Sequence, residues 1–383
     1  MTAQLIFLVG AAILFYVVAG YPLLLGWMAG RWGRPVRTQA IEPHLSILVP
    51  VYNGEVYLAA KLDSILRADY PREKVEIWVA SDGSTDTTAD IARAYADQGV
   101  HLVELPRGGK PAALNAVIPQ LHGEIVVLTD VRQVLAPDSL RHLVTAFADP
   151  EVGVVSGELR IRAGQNQAEA AIGLYWRLET WIRDQLSTLD SMFGATGPFY
   201  AIRRELTTPV PAEVLLDDMY LPLHSFFRGY RLVMQPLAKA YDYPTSRETE
   251  FNRKVRTLAG NYQLLRYYPQ LLGSGNRMWF HYVSYKVGRL LLPWTLAVVL
   301  VTSFFLDEPA RTVALRVQTL FYLAAFLDPW IPEQSASKRL TSPICTFVTM
   351  MAAAVAGLSV FFVPPQRLWK VTGASNAKPS NQR

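Results

Sequence analysis

The chain of 383 residues contains a single cysteine, Cys345. An internal disulfide and a cysteine-based metal site are therefore both excluded. Charge is also scarce: 18% of residues are Asp, Glu, Lys or Arg, against 51% hydrophobic. That balance is apolar for a soluble protein, and the apolar residues are clustered. Internal repeats, long low-complexity tracts and basic–aromatic repeats are absent, so nucleic acid is not an expected partner. The small positive excess lies mostly in arginines beside the apolar runs. It requires only anionic membrane lipid as a partner.

Leu5 to Met28 carries no charge. A bilayer crossing needs about twenty apolar residues, so this run predicts a retained membrane anchor rather than a signal-peptide core. Arg31, Arg34 and Arg37 follow it, while Met1 to Gln4 carries no side-chain charge. The positive-inside rule then places the following residues in the cytoplasm. Three further apolar segments lie near the C-terminus: Leu290–Leu306, Val313–Leu327 with Arg316 near its start, and Ile344–Val363 with its small residues. Lys338 and Arg339 should face the cytoplasm. Arg367, Lys370, Lys378 and Arg383 would end outside if the last segment crosses, against the same rule.

Between these clusters, strands alternate with helices. Leu45–Pro50, Lys74–Val79, Val100–Leu105 and Glu124–Asp130 read as strands. Tyr57–Arg67, Thr87–Gln98, the stretch through Asn115 and Ile118, and Pro137–Phe147 read as helices. Such alternation predicts an α/β fold with a mostly parallel sheet and right-handed crossovers. Beyond Val152–Ser156, a long helix over Asn166–Leu189 bears Tyr175, Trp176 and Trp181 and suits either a membrane interface or a core. A further helix starts at Leu215–Tyr220, Arg231–Met234 and Ala238–Tyr241 read as short strands, and Phe251–Tyr268 is a basic, aromatic helix.

The stretch Val79–Asp86 organises this region. A strand, an Asp-Gly-Ser turn and a helix form the usual layout of a nucleotide pocket at the carboxyl end of a sheet. Asp82 can there accept a hydrogen bond from a base or ribose. Asp130, Asp217 and Asp218 stand at other strand ends or helix starts, and Lys110, Arg253 and Arg256 supply cations. Carboxylates and cations around such a pocket suit a nucleoside diphosphate, whose charge must be met as it leaves. Each residue also has a plain structural role open to it. Asp82, Asp130 and the Asp217–Asp218 pair can cap turns or helices. Lys110 can be solvated, and Arg253 and Arg256 can face lipid head groups.

Taken together and in order, Val49-Pro-Val-Tyr-Asn53, Ser81-Asp-Gly-Ser-Thr-Asp86, Gly109-Lys110 with Ala113-Leu-Asn115, Thr129-Asp130, Gly197-Pro-Phe-Tyr-Ala-Ile-Arg203 and Leu216-Asp-Asp218 resemble glycosyltransferase family 2. The likeness is to its membrane-integrated members, the cellulose, chitin, hyaluronan and poly-N-acetylglucosamine synthases, and spans about Leu45 to Tyr268. It implies a GT-A fold. It also implies that Pro50, Tyr52 and Asp82 hold uridine, that Asn53 shapes the loop, and that Lys110 lies near the donor. Asp130 would be the first acid of an Asp-x-Asp metal motif for Mg²⁺ or Mn²⁺. Asp218 would be the general base, with Asp217 beside it. Arg253–Thr257 falls where the family has Gln-x-x-Arg-Trp.

Three departures stand out. Arg132 replaces the second metal-motif acid, a change from an oxygen ligand to a cation. Arg132 is therefore expected beside the diphosphate, in place of part of the metal's charge, with a surface pairing as the alternative. Gly54 replaces the acid usual after Tyr-Asn, although Glu55 follows. Arg253-Lys-Val-Arg-Thr257 keeps Arg256 but lacks the Gln and the Trp that stacks on acceptor sugar.

The resemblance divides the chain into an anchor (1–30), a linker (31–44), a GT-A domain (45–250), interfacial helices (251–288), two or three transmembrane helices (289–364) and a tail (365–383). The expected function is inverting transfer of a hexosyl or N-acetylhexosaminyl group from a nucleotide sugar, with UDP expected. The acceptor would be a glycan or lipid-linked molecule at the cytoplasmic face of the inner cell membrane, for polysaccharide synthesis. The alternatives are single transfer to a polyprenyl phosphate and a non-catalytic nucleotide-binding scaffold among export-complex subunits.

Overall fold

The computed structural model describes residues 2–161, 167–242 and 247–368; most of the expected tail lies outside them. The chain divides into two compact units. One holds an eight-stranded sheet and includes Pro35 to Arg162 and Ser191 to Tyr243. The other is helical and is built from three separate stretches of chain.

In the sheet unit the strands are β1 (Leu45–Val51), β2 (Val75–Asp82), β3 (Val100–Leu105), β4 (Ile125–Thr129), β5 (Val134–Leu135), β6 (Val152–Ile161), β7 (Phe199–Arg203) and β8 (Arg231–Asp242). Their spatial order is β3-β2-β1-β4-β7-β6-β8-β5. The run β3-β2-β1-β4 is parallel, as is β6 with β8. β7 is antiparallel to both its neighbours, and β5 to β8. The sheet is thus mixed but mostly parallel. Every residue of β1 is buried, as expected for a central parallel strand covered on both faces. Ile47 and Val49 share a core with Leu58, Leu62 and Ile65 of the helix Leu58–Leu66. Leu58, Leu62 and Ile65 recur at helical spacing and present one face to the sheet. β1 connects to β2 on one side and neighbours β4 on the other. The chain therefore leaves a crevice at the carboxyl ends of these strands, where ligands of open α/β sheets bind.

Two expected short strands are one. β8 runs unbroken from Arg231 to Asp242, but its register with β6 jumps from Ser156↔Met234 to Glu158↔Lys239. Pro236 sits inside this irregularity, where a residue without an N–H is tolerated. The expected Thr87–Gln98 helix is shorter: Thr88–Arg93 is followed by a tighter turn at Ala96–Gln98.

The helical unit contains Thr2–Phe15 continuing through Tyr21–Trp32, then Gln167–Leu189, Arg247–Tyr267, Trp279–Tyr282 continuing through Gly288–Ser303, Ala310–Leu327 and Lys338–Gly357. Among the described residues, Thr2–Trp32, Trp279–Ser303 and Lys338–Phe361 are long and apolar enough to cross a membrane. Ala310–Leu327, the expected middle segment, is not among them; Arg311 and Arg316 lie in its first two turns. Small residues let the other helices approach. A Cβ on Gly10 would lie 2.7 Å from the Val299 side chain, and one on Gly288 would lie 3.0 Å from Val17.

Candidate active site

The crevice is built by loops that lace the ends of β1 and β2 together. Pro50 lies within β1, and the chain turns directly after it. Asn53 has φ 48, a left-handed conformation that Asn tolerates better than most residues. Its Oδ1 accepts from the Thr85 N–H at 2.9 Å, and its own N–H donates to Ser84 Oγ at 3.1 Å. The Gly54 N–H donates to Thr88 Oγ1 at 2.8 Å. Glu55 accepts from the Thr87 hydroxyl at 2.8 Å. The acid one place beyond the usual position thus steadies the start of the following helix.

Asp82 closes β2 and is 3% exposed. It does not cap the helix Thr88–Arg93. Its carboxylate accepts from the Gly108 N–H at 2.7 Å and the Gly109 N–H at 2.9 Å, and pairs with Arg107. Gly109 has φ +84, which permits this approach. The Arg107 guanidinium lies 3.6 Å over the Tyr52 ring, a cation–π contact. Arg107, not among the residues expected at the site, therefore joins Tyr52 and Asp82, two of the three residues expected to hold a base. Its position between Pro106 and Gly108 in a loop facing Asp82 was the available signal.

The second half of the crevice centres on Lys110, at the start of the helix Lys110–Val117. Its ammonium donates to Asp130 Oδ1 at 3.0 Å and pairs with Asp217 Oδ2 at 3.1 Å. Burial works against its charge, but Asp130, Asp217 and Asp218 outweigh that and hold Lys110 above the usual lysine range. Asp217 and Asp218 open the helix Asp217–Phe227, where the positive end of the helix favours them. Asp217 is 5% exposed and Asp218 is half-buried. Gly197 makes room for Asp218, since a Cβ there would lie 2.6 Å from Asp218 Oδ2. On β7, the Tyr200 hydroxyl is buried and has no hydrogen-bond partner among the described residues. Burial, then Asp217, Asp218 and Asp130, push this phenol well above its ordinary range, so it remains an O–H donor. Tyr200 lay within the quoted Gly197–Arg203 motif, but the motif gave no sign of the strand that buries it.

Arg132 pairs with Asp242 at the end of β8, a carboxylate 2% exposed that also accepts from Gln133 Nε2 at 2.9 Å. The expected surface acid is therefore a buried one, and the Arg132 charge is already compensated. Arg253 and Arg256 belong to the helical unit, on Arg247–Tyr267, where Arg253 pairs with Glu250 at 2.6 Å.

Among the described residues, no three of His, Cys, Asp and Glu group together to hold a metal ion. A protein-only cage is therefore not built. Asp130 nevertheless fits the mode in which Mg²⁺ is held by one carboxylate and the oxygens of a bound phosphate. Among the described residues its Oδ1 accepts from Lys110, and the carboxylate is 38% exposed.

The parallel strands, the acidic carboxyl ends and the basic lysine make an α/β domain with a charged crevice at the carboxyl edge of its sheet. Residues 46–208 match the model of Glycosyl transferase family 2. Over 93% of the chain, the structure is similar to a mannosyltransferase from Pyrobaculum calidifontis in complex with GDP-Man and Mn²⁺, with TM-score 0.72, 25% identity and 99% of that chain covered. The fold is thus GT-A. The chain is 27% identical over 269 residues to a beta-monoglucosyldiacylglycerol synthase of a Nostoc species, covering 67% of this chain and 57% of that one. It is 25% identical to the poly-beta-1,6-N-acetyl-D-glucosamine synthase of Staphylococcus aureus, over 58% of this chain and 55% of that one. The chain therefore spans somewhat over half the length of these two relatives.

Proposed function

We propose that this protein is an inverting glycosyltransferase. It would move a hexosyl or N-acetylhexosaminyl group from a nucleotide sugar to a glycan or lipid-linked acceptor at the cytoplasmic face of a membrane. The observation that carries this reading is the Lys110 ammonium held between Asp130 and Asp217, with Asp218 on the same helix start. An acceptor hydroxyl attacks the anomeric carbon on the face opposite the diphosphate. The bond from that carbon to the phosphate oxygen breaks, and the acceptor proton passes to a carboxylate within reach. Asp218 suits this role better than Asp217, which is more buried and already paired with Lys110. Lys110 meets the charge that develops on the leaving diphosphate, and the Tyr200 O–H is available to the same centre. Asp130 would hold a divalent ion, which when bound supplies further charge stabilisation of the leaving group. Tyr52 and Asp82 would receive the base, with Arg107 completing that slot. The relatives' names divide between GDP-mannose and glucosyl or N-acetylglucosaminyl chemistry, so uridine is not favoured over guanosine.

The three apolar helices and the arginines after the first support a membrane protein with the sheet unit inside. The missing Trp after Arg256 favours transfer of one sugar over processive polymerisation. A panel of UDP- and GDP-sugars, offered with lipid and glycan acceptors and read by product mass, tests the proposal. Nucleotide binding without any product would identify the scaffold instead.

A further inference from the structure

Lys61 has no part in the chemistry above, yet it is a fully buried lysine on the helix Leu58–Leu66, 0% exposed. Its ammonium donates to Thr129 Oγ1 at 2.6 Å and to the Gln133 carbonyl at 2.7 Å. These two residues are the ends of the five-residue stretch that carries Asp130 and Arg132. From each end the network continues. The Thr129 hydroxyl donates to the Pro198 carbonyl at 2.8 Å, and the Asp130 N–H donates to the same carbonyl at 3.2 Å. Gln133 Nε2 donates to Asp242 Oδ2, the oxygen that also receives Arg132. One turn along the helix, Ser64 Oγ donates to the Lys61 carbonyl at 2.7 Å and accepts from the Leu135 N–H at 3.2 Å. A single helix turn therefore holds both flanks of the Asp130 stretch.

This arrangement is costly. Both groups bonded to the ammonium are neutral, and the carboxylate whose charge reaches it is Asp130. A methionine of similar length would fill the same space without desolvating a charge. We propose that Lys61 is a positioning residue that clamps the stretch Thr129–Gln133 and thereby sets the Asp130 carboxylate for the donor. The inference rests on Asp130 belonging to the donor end of the site. The clamp does not depend on the charge state of Lys61. Burial lowers its pKa to about 7, and the neutral amine still has two hydrogens for its two bonds.

The test uses the full chain in detergent, as wild type, Lys61→Met, Thr129→Val and the double variant. Amide hydrogen exchange is read by peptide mass, alongside Tm and turnover on the donor found in the panel. Lys61→Met should keep or raise Tm and speed exchange at residues 129–133 about fivefold or more, with β1 and β2 unchanged. Turnover should fall roughly 10–100-fold, the scale on which small misplacements act. Thr129→Val should move both readouts in the same direction, and the double variant should fall short of the sum of the two singles, because one of the bonds each removes is the same bond. Unchanged exchange at 129–133 overturns the clamp, as does a lower Tm with faster exchange across the whole sheet. Additive effects in the double variant, or faster local exchange at wild-type turnover, also overturn it. If Lys61→Met fails to fold, Thr129→Val alone decides by the same criteria. If no donor is turned over by the wild type, the transferase reading fails and exchange still decides the clamp.

Discussion

Two carboxylates stand at the carboxyl edge of the same sheet, on strands that flank β1, and they are treated in opposite ways. Asp82 is saturated: two backbone N–H groups and Arg107 hold it, and it is almost fully buried. Among the described residues Asp130 is bonded to Lys110, which it shares with Asp217, and it is partly exposed. Near it, the Tyr200 hydroxyl has no partner among the described residues. Buried polar groups are normally satisfied. An under-satisfied centre beside a saturated one therefore separates two duties. Under the proposed function, the Asp82 side would be organised in advance for recognition, while the Asp130 side would keep capacity for charge that arrives with substrate and shifts during reaction.

The largest effect should come from the reactive side. Asp218→Asn keeps size and removes the proton acceptor, so kcat should fall by roughly 10²–10⁴ while nucleotide affinity stays within about threefold. Steady-state kinetics with calorimetric nucleotide binding checks this. Near-wild-type turnover would transfer the role to Asp217.

Next comes Lys110→Met, which leaves Asp130 and Asp217 facing each other without their shared cation. Breaking a buried ion pair on one side costs about 3–5 kcal/mol. Tm should drop clearly and turnover should be lost together with it. A variant with unchanged Tm would show that the acids need no bridge.

Asp82→Asn is the matching change on the recognition side. It should weaken nucleoside diphosphate binding about tenfold, in line with the loss of a charged hydrogen bond, and leave kcat at saturating donor nearly intact. If kcat falls and binding does not, the two sides are not separate in function.

The last effect concerns pH, and per pH unit it does not exceed the roughly tenfold change just given. Lys61 has a folded pKa of about 7 against an ordinary 10.5. Below pH about 7 both states carry the proton, and the full cost of burying the charge is present. Between about 7 and 10.5 the unfolded chain holds a proton that the folded one has released, so this group makes stability rise with pH, by at most about 1.4 kcal/mol per pH unit. Denaturant melts across that range should show wild type gaining on Lys61→Met. Parallel curves would remove the effect.

Much of the sheet unit was legible in local sequence. Val100–Leu105 is mostly apolar, lies between Gly99 and Pro106, and is a strand with those limits. Less legible was what depends on distant partners. β7 is made by pairing with β4 and β6, both antiparallel, and nothing within Phe199–Arg203 announces that. β8 reads as two pieces because Pro236 interrupts it, whereas the irregular pairing with β6 absorbs the proline. Among site residues, Asp82 and Lys110 were found from a turn and a glycine pair. Lys61 is not among the residues the sequence singles out. Its spacing held the clue: three residues after Leu58 and four before Ile65, it lies on the buried face. The Arg132–Asp242 pair joins positions 110 apart in sequence, and no local pattern predicts it.

The route of the chain limits how the protein can be cut. After β6 it leaves the sheet unit, gives the helix Gln167–Leu189 to the helical unit, and returns at Ser191. There Trp181 lies against Gly26, whose added Cβ would come within 3.0 Å of the indole. Trimming both ends of the gene to free the sheet unit would keep this helix and discard the helix it packs on. The stranded face would be sticky, and such a fragment would be expected to aggregate for reasons unrelated to its sheet. A short loop grafted between Ile161 and Ser191, made together with those truncations, is the cut that follows the boundaries of the fold.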